Sequence, residues 1–104
     1  MKIIEGTSEN FETEVIKSTK PVLVDFNATW CPPCRALHPT LEELAEESDD
    51  YKIVTVDVDA EEPLAGAYGV SSIPCLVFFR DGEEYDRRIG LQPKKRLMKI
   101  LGVK

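Results

Sequence analysis

The chain has 104 residues, 42% of them hydrophobic, with three cysteines, a net charge of −6 and a pI near 4.8. That length suits one compact domain over 1–104 that folds without a metal or a disulfide framework. The acidic residues, concentrated in Glu42–Asp50 and Asp57–Glu62, argue against nucleic acid and anionic membrane as partners, and Lys94, Lys95 and Arg96 are too few to reverse that balance.

In chain order, Ile3 and Ile4 suggest a short strand, and Thr7 or Ser8 can cap a helix in which Phe11, Val15 and Ile16 face inward until Pro21 stops it. Val22 to Phe26 is apolar apart from Asp25, as expected of a central strand covered on both faces. From Cys34 the period changes: Leu37, Leu41, Leu44 and Ala45 share a helical stripe while Glu42, Glu43, Glu46 and Glu47 face water. Ile53 to Val58 alternates with period two, and Asp59 followed by Glu62 has the spacing of a helix start, for a segment reaching Tyr68. Leu76–Phe79, the turn Asp81-Gly82 and Tyr85–Ile89 read as a hairpin. Pro93 opens a last helix with Leu97, Met98 and Leu101 inward, and Gly102 ends it. The order β-α-β-α-β-α-β-β-α predicts an α/β fold, a mixed sheet with helices on both faces. The longest apolar run, Cys75 to Phe79, is far short of a membrane span, and Met1 to Glu5 lacks the apolar stretch of a secretory signal, so the expected location is the cytoplasm.

Cys31-Pro32-Pro33-Cys34 stands where the second strand gives way to a helix. Side chains at i and i+3 on a helix have Cβ atoms about 5–6 Å apart, and a disulfide needs about 3.5–4.5 Å, so a first helical turn can open and close this bond with little backbone movement. As a staple the bond would achieve little, because a closed loop of about four residues removes only about 2 kcal/mol of chain entropy. Reversible redox chemistry explains the spacing better than stability does. The bland alternatives are two inert buried thiols or half of a zinc site. Cys31, at the positive end of the helix dipole, is the expected nucleophile; Cys34, one turn deeper, is the expected resolving thiol. Asp25 is anomalous as a carboxyl in an apolar strand, where desolvation disfavours the charged form and raises the pKa; its ordinary reading is an acid at a strand end bonded to solvent or a backbone N–H.

Val24-Asp25-Phe26, Trp30-Cys31-Pro32-Pro33-Cys34, Pro39, Gly69-Val70-Ser71-Ser72-Ile73-Pro74-Cys75, Asp81-Gly82 and Gly90 agree in order and spacing with one family. On these landmarks the chain closely resembles the thioredoxin family over nearly its full length. The resemblance implies a five-stranded mixed sheet flanked by four helices. It also implies a protein-disulfide reductase that binds no cofactor beyond its own Cys31–Cys34 redox disulfide and holds no metal. Its partners would be client proteins with disulfides and a recharging thioredoxin reductase-type enzyme, flavin- or ferredoxin-dependent, with the chain acting as a monomer. Carried over by residue, Asp25 takes the proton of Cys34, directly or through a water. Pro74 is cis and faces the thiols, its neighbouring backbone pairs with an extended client segment, and Trp30, Gly69, Ile73 and Gly90 form an apolar docking rim. For Trp30 and Ile73 the plain alternative is core packing.

Four positions depart from the family pattern. Pro32 replaces a common glycine, and by removing an N–H near the Cys31 sulfur it predicts a higher Cys31 pKa and a more reducing couple, although it also stiffens the turn. Thr55 stands where a lysine often accompanies the buried acid. Asn27 stands where a second tryptophan is frequent, which predicts a more polar docking surface. Cys75 stands where a threonine is common, and is expected close to Cys31, either as a small core filler or as a third reactive thiol. The competing function, from a different class, is a metal or iron–sulfur binding module in which Cys31, Cys34, Cys75 and His38 converge. A noncatalytic binding subunit that keeps the fold is the remaining reading.

Overall fold

A computed structural model describes residues 2–103; Met1 and Lys104, the ends of the expected domain, lie outside them. Five strands, β1 (Ile4–Glu5), β2 (Val22–Asn27), β3 (Lys52–Asp57), β4 (Cys75–Arg80) and β5 (Glu83–Ile89), form one sheet in the order β1-β3-β2-β4-β5. β1, β3 and β2 run parallel, β4 is antiparallel to β2, and β5 is in turn antiparallel to β4, so the sheet is mixed. A π-helical segment (Glu12–Ile16) and helices α1 (Pro32–Glu47), α2 (Glu62–Ala67) and α3 (Lys94–Leu101) flank it.

Strand alternation divides the interior in two. On one face Val22, Val24, Phe26, Val54, Val56, Cys75, Val77 and Phe79 pack with Phe11, Val15 and Ala65 from the π-helical segment, its approach and α2. On the other, Leu23, Ile53, Leu76 and Phe78 pack against the Leu37, Leu41 and Leu44 stripe of α1 and against Leu97 and Leu101 of α3. Burial of these side chains from both sides is what holds the helices to the sheet.

The turn between β4 and β5 has positive φ at both central residues, 54° at Asp81 and 81° at Gly82, the geometry that matches the twist of a two-residue hairpin. A side chain at position 82 would also meet the Ile16 carbonyl oxygen at 2.9 Å, so glycine is required twice over. At the end of α3, Gly102 takes the left-handed conformation, as the sequence predicts.

Two expectations are corrected. The first helix is π-type, because the Lys17 N–H reaches back five residues to Glu12 O at 2.8 Å. Thr7 does brace its approach, in a reciprocal pair with Asn10, while Ser8 instead bonds Glu61 across the molecule. Asp59 does not start α2, which begins at Glu62. Asp57 Oδ1 accepts the N–H groups of Asp59 and Ala60, an Asx turn that leaves the Asp59 carboxylate free for another partner.

Candidate active site

Cys31 is the N-cap of α1, extended at φ −92° and ψ 111°, and forms a disulfide with Cys34, the two Cα atoms lying 5.2 Å apart. Pro32 and Pro33 occupy the first two helical positions and have no N–H, so the first donor at this helix mouth is the Cys34 N–H. It is aimed at Cys31 Sγ, at 3.3 Å. The same bond favours negative charge on that sulfur once the disulfide opens. The two residues are buried alike, Cys31 at 3% and Cys34 at 5% exposure, so the helix geometry and not residue burial distinguishes them. They pack with Ala28, Val58 and Ile73.

Asp25 sits in β2 between Thr55 of β3 and Leu76 of β4, at 2% exposure. Burial pushes its carboxyl from an ordinary 3.8 up to about 7, while a hydrogen bond from Asn27 works in the opposite direction. Asn27 Nδ2 donates to Asp25 Oδ2 at 3.2 Å, and Oδ1 has no partner among the described residues. A cavity of about 160 Å³ is lined by Asp25, Asn27, Thr55 and, from α1, Cys34, Arg35 and His38. Asp25 and Cys34 thus line one space, which at about 30 Å³ per molecule has room for water.

The remaining residues surround the disulfide unequally. The Ile73–Pro74 peptide is cis, Pro74 is buried, and Ile73 is half-buried against the sulfur cluster. The Gly90 N–H donates to Pro74 O at 2.8 Å, which brings the end of β5 to the same edge. Gly69 is exposed at the turn after α2. Trp30 is no core residue: it is 62% exposed, with its indole Nε1 donating to Asp59 Oδ2 at 2.7 Å. Ile89 and Leu91, on either side of Gly90, are apolar and exposed, and neither is among the docking residues the sequence suggests.

Cys75 takes the place of a small core filler, and its side chain does not join the Cys31 cluster it was expected to lie beside. It pairs in register with Phe26 and packs in the aromatic core on the face of the sheet away from α1, not with the Cys31 cluster. Burial pushes its thiol upward, with Arg87 acting in the opposite direction. His38 is exposed and lies 3.3 Å from Glu42, one turn along α1. The set required for a metal or iron–sulfur site does not converge, and among the described residues no group of three or more His, Cys, Asp or Glu side chains is placed to hold a metal ion. Asn27, expected at a docking surface, turns its amide to Asp25 instead; its place two residues after a buried strand acid was the available signal. The Asp59 partner of Trp30, 29 positions away, had none.

Among the described residues no helix is long and apolar enough to cross a membrane. The thioredoxin family model matches residues 2–102. A thioredoxin C-2 of Corynebacterium nephridii is 45% identical over 96 residues, covering 91% of this chain and 89% of its own length. A thioredoxin of Bacillus subtilis is 42% identical over 102 residues, covering 97% and 96%. Among solved structures, a mutant thioredoxin from Halobacterium salinarum superposes with a TM-score of 0.86 at 38% identity, covering 96% of this chain and 88% of that one.

Proposed function

The chain belongs to the thioredoxin family and is a thiol–disulfide oxidoreductase with Cys31 and Cys34 as its redox pair, and from that premise we propose a division of labour among its residues. Cys31 attacks one sulfur of a client disulfide and forms a mixed disulfide, releasing the other client sulfur. Asp25 takes the proton of Cys34, directly or through a water in the shared cavity. The Cys34 thiolate then attacks Cys31 Sγ, closing the intramolecular disulfide and freeing the reduced client. The observation that carries this order is the Cys34 N–H aimed at Cys31 Sγ, which makes Cys31 the better-supported thiolate.

Trp30, Ile73, Pro74 and Gly90 form the client-docking edge, and an extended client segment pairs beside Pro74. Cys75 serves the fold and takes no part in exchange. The partners are disulfide-bearing proteins and a flavin- or ferredoxin-dependent reductase that returns electrons to the pair. The chain works as a monomeric single domain in the cytoplasm.

An insulin-reduction assay, coupled in turn to reductases of the two kinds, tests this reading. The wild-type chain is expected to turn over with one of them and Cys31→Ser to fall by about a thousandfold or more, to background. A Cys31→Ser protein that still reduces insulin would move the attack to another sulfur.

A further inference from the structure

Asp25 and Asn27 lie two positions apart on β2, so their side chains leave the same face of the sheet. The backbone of Asn27 is fixed: it pairs with Asp57 of β3, and its carbonyl accepts the Val58 N–H at 2.9 Å. From that base the amide nitrogen makes two contacts with one residue, donating to Asp25 O at 3.1 Å and to Asp25 Oδ2 at 3.2 Å. Among the described residues this is the one hydrogen bond the carboxylate receives, and the buried Oδ1 is left open. The neighbouring elements supply nothing that replaces it. Thr55 from β3 and Leu76 from β4 carry no charge. Of the α1 groups at the cavity, Arg35 donates to Thr29 O at 3.0 Å, His38 lies against Glu42, and Cys34 is the sulfur to be served. Cys75 of β4 interacts with the acid from the other side of the sheet.

We propose that Asn27 is a positioning residue for the resolving step: its amide clamps Oδ2 of Asp25 and so assigns Oδ1 as the oxygen that takes the Cys34 proton. The inference rests on the reading of Asp25 as the base for Cys34. In the step itself the Cys34 S–H proton passes to Asp25, and the Cys34 thiolate forms a bond to Cys31 Sγ. The Cys31–client bond breaks, and its electron pair leaves on the client sulfur, which is protonated from solvent. The client disulfide gains two electrons and the Cys31–Cys34 dithiol loses them. An amide donor favours the ionised acid, so it keeps a proton-free carboxylate available where burial alone would hold the proton. In this chain the clamp stands beside Thr55, a neutral neighbour, so the neutral amide is what balances burial.

Two measurements on the reduced full chain test the clamp: carbon-13 NMR titration of the Asp25 carboxyl, and the pH profile of single-turnover reduction of a small chromogenic aryl disulfide, whose second phase reports resolution by Cys34. In Asn27→Leu the Asp25 midpoint is expected to move up by about half a unit or more, and the second-phase midpoint with it. Asn27→Ala serves in the same comparison if the leucine protein does not fold. An Asp25 midpoint that stays at the wild-type value, or a second phase that slows equally at every pH with no change of midpoint, overturns the proposal. Asp25→Asn separates the two levels: a second phase with the wild-type pH profile in that variant would remove Asp25 as the base and the clamp's role with it. An unmoved Asp25 midpoint in Asn27→Leu removes the clamp alone.

Discussion

On one face of β2, Val22, Val24 and Phe26 pack into a core of branched and aromatic side chains; on the other, Leu23 does the same but is followed by Asp25 and Asn27. The two faces also hold two buried sulfurs in different circumstances. Cys34 shares a cavity with a carboxyl poised to exchange protons, and Cys75 is packed among Phe26, Val77 and Phe79 with its thiol pushed upward by burial. Burial alone does not make a cysteine reactive or inert. What differs is the neighbourhood: Cys34 lines a cavity with a carboxyl that can take its proton, whereas burial outweighs the Arg87 charge at Cys75. A strand can serve both ends because its side chains alternate, so a packed face holds the backbone still while the opposite face carries a costly group.

The largest change to this contrast is expected from the packed face. Phe79 meets Phe11 and Tyr68 edge-on, with ring centroids 5.8 and 5.4 Å away. Phe79→Ala is expected to lower unfolding stability by about 3–5 kcal/mol in a denaturant titration. A loss below about 1 kcal/mol would mean that this face is not the rigid one.

Asp25→Asn acts in the opposite direction. The folded carboxyl titrates near 7 and the unfolded one at the ordinary 3.8, so between those values the native protein holds a proton that the unfolded chain has released. Stability therefore falls as pH rises through that window, and is lowest, for this group, above it. The oxidised Asp25→Asn protein is expected to match wild type near pH 4 and to exceed it by roughly 2–4 kcal/mol at pH 8. Equal stability at both pH values would place the acid in water, not in the sheet.

Cys75→Ser has the smallest expected effect. A hydroxyl in the aromatic core costs about 1–3 kcal/mol unless it finds a partner. The number of fast-reacting thiols in the reduced protein is expected to be unchanged, and insulin reduction to stay within about twofold of wild type. Loss of one fast-reacting thiol would give Cys75 a chemical role and erase the contrast between the two faces.

Much of this arrangement is written in local pattern. The α1 stripe of Leu37, Leu41 and Leu44, the Asp81-Gly82 turn and the Gly102 stop each depend on a few neighbouring residues, and each is found where the sequence places it. Asp25 is conspicuous because its neighbours in β2 are apolar. The features that escaped depend on what happens across the sheet or on a shift of one hydrogen bond. Phe11 and Val15 suit an α-helical turn, and only the destination of the Lys17 N–H makes the segment π. The face taken by Cys75 is hidden because Cys75 to Phe79 is apolar throughout, so no alternation shows in the sequence; pairing with Phe26 decides it. Asn27 reads as a rim residue until its amide is seen to turn inward along its own strand.

The chain contains one tryptophan, Trp30, and it stands beside Cys31, largely exposed and tethered to Asp59. Indole absorption and emission therefore come from a single address next to the exchanging sulfurs, with no background from elsewhere. Encounter with a partner, opening of the disulfide and its return could each be timed optically on unlabelled protein.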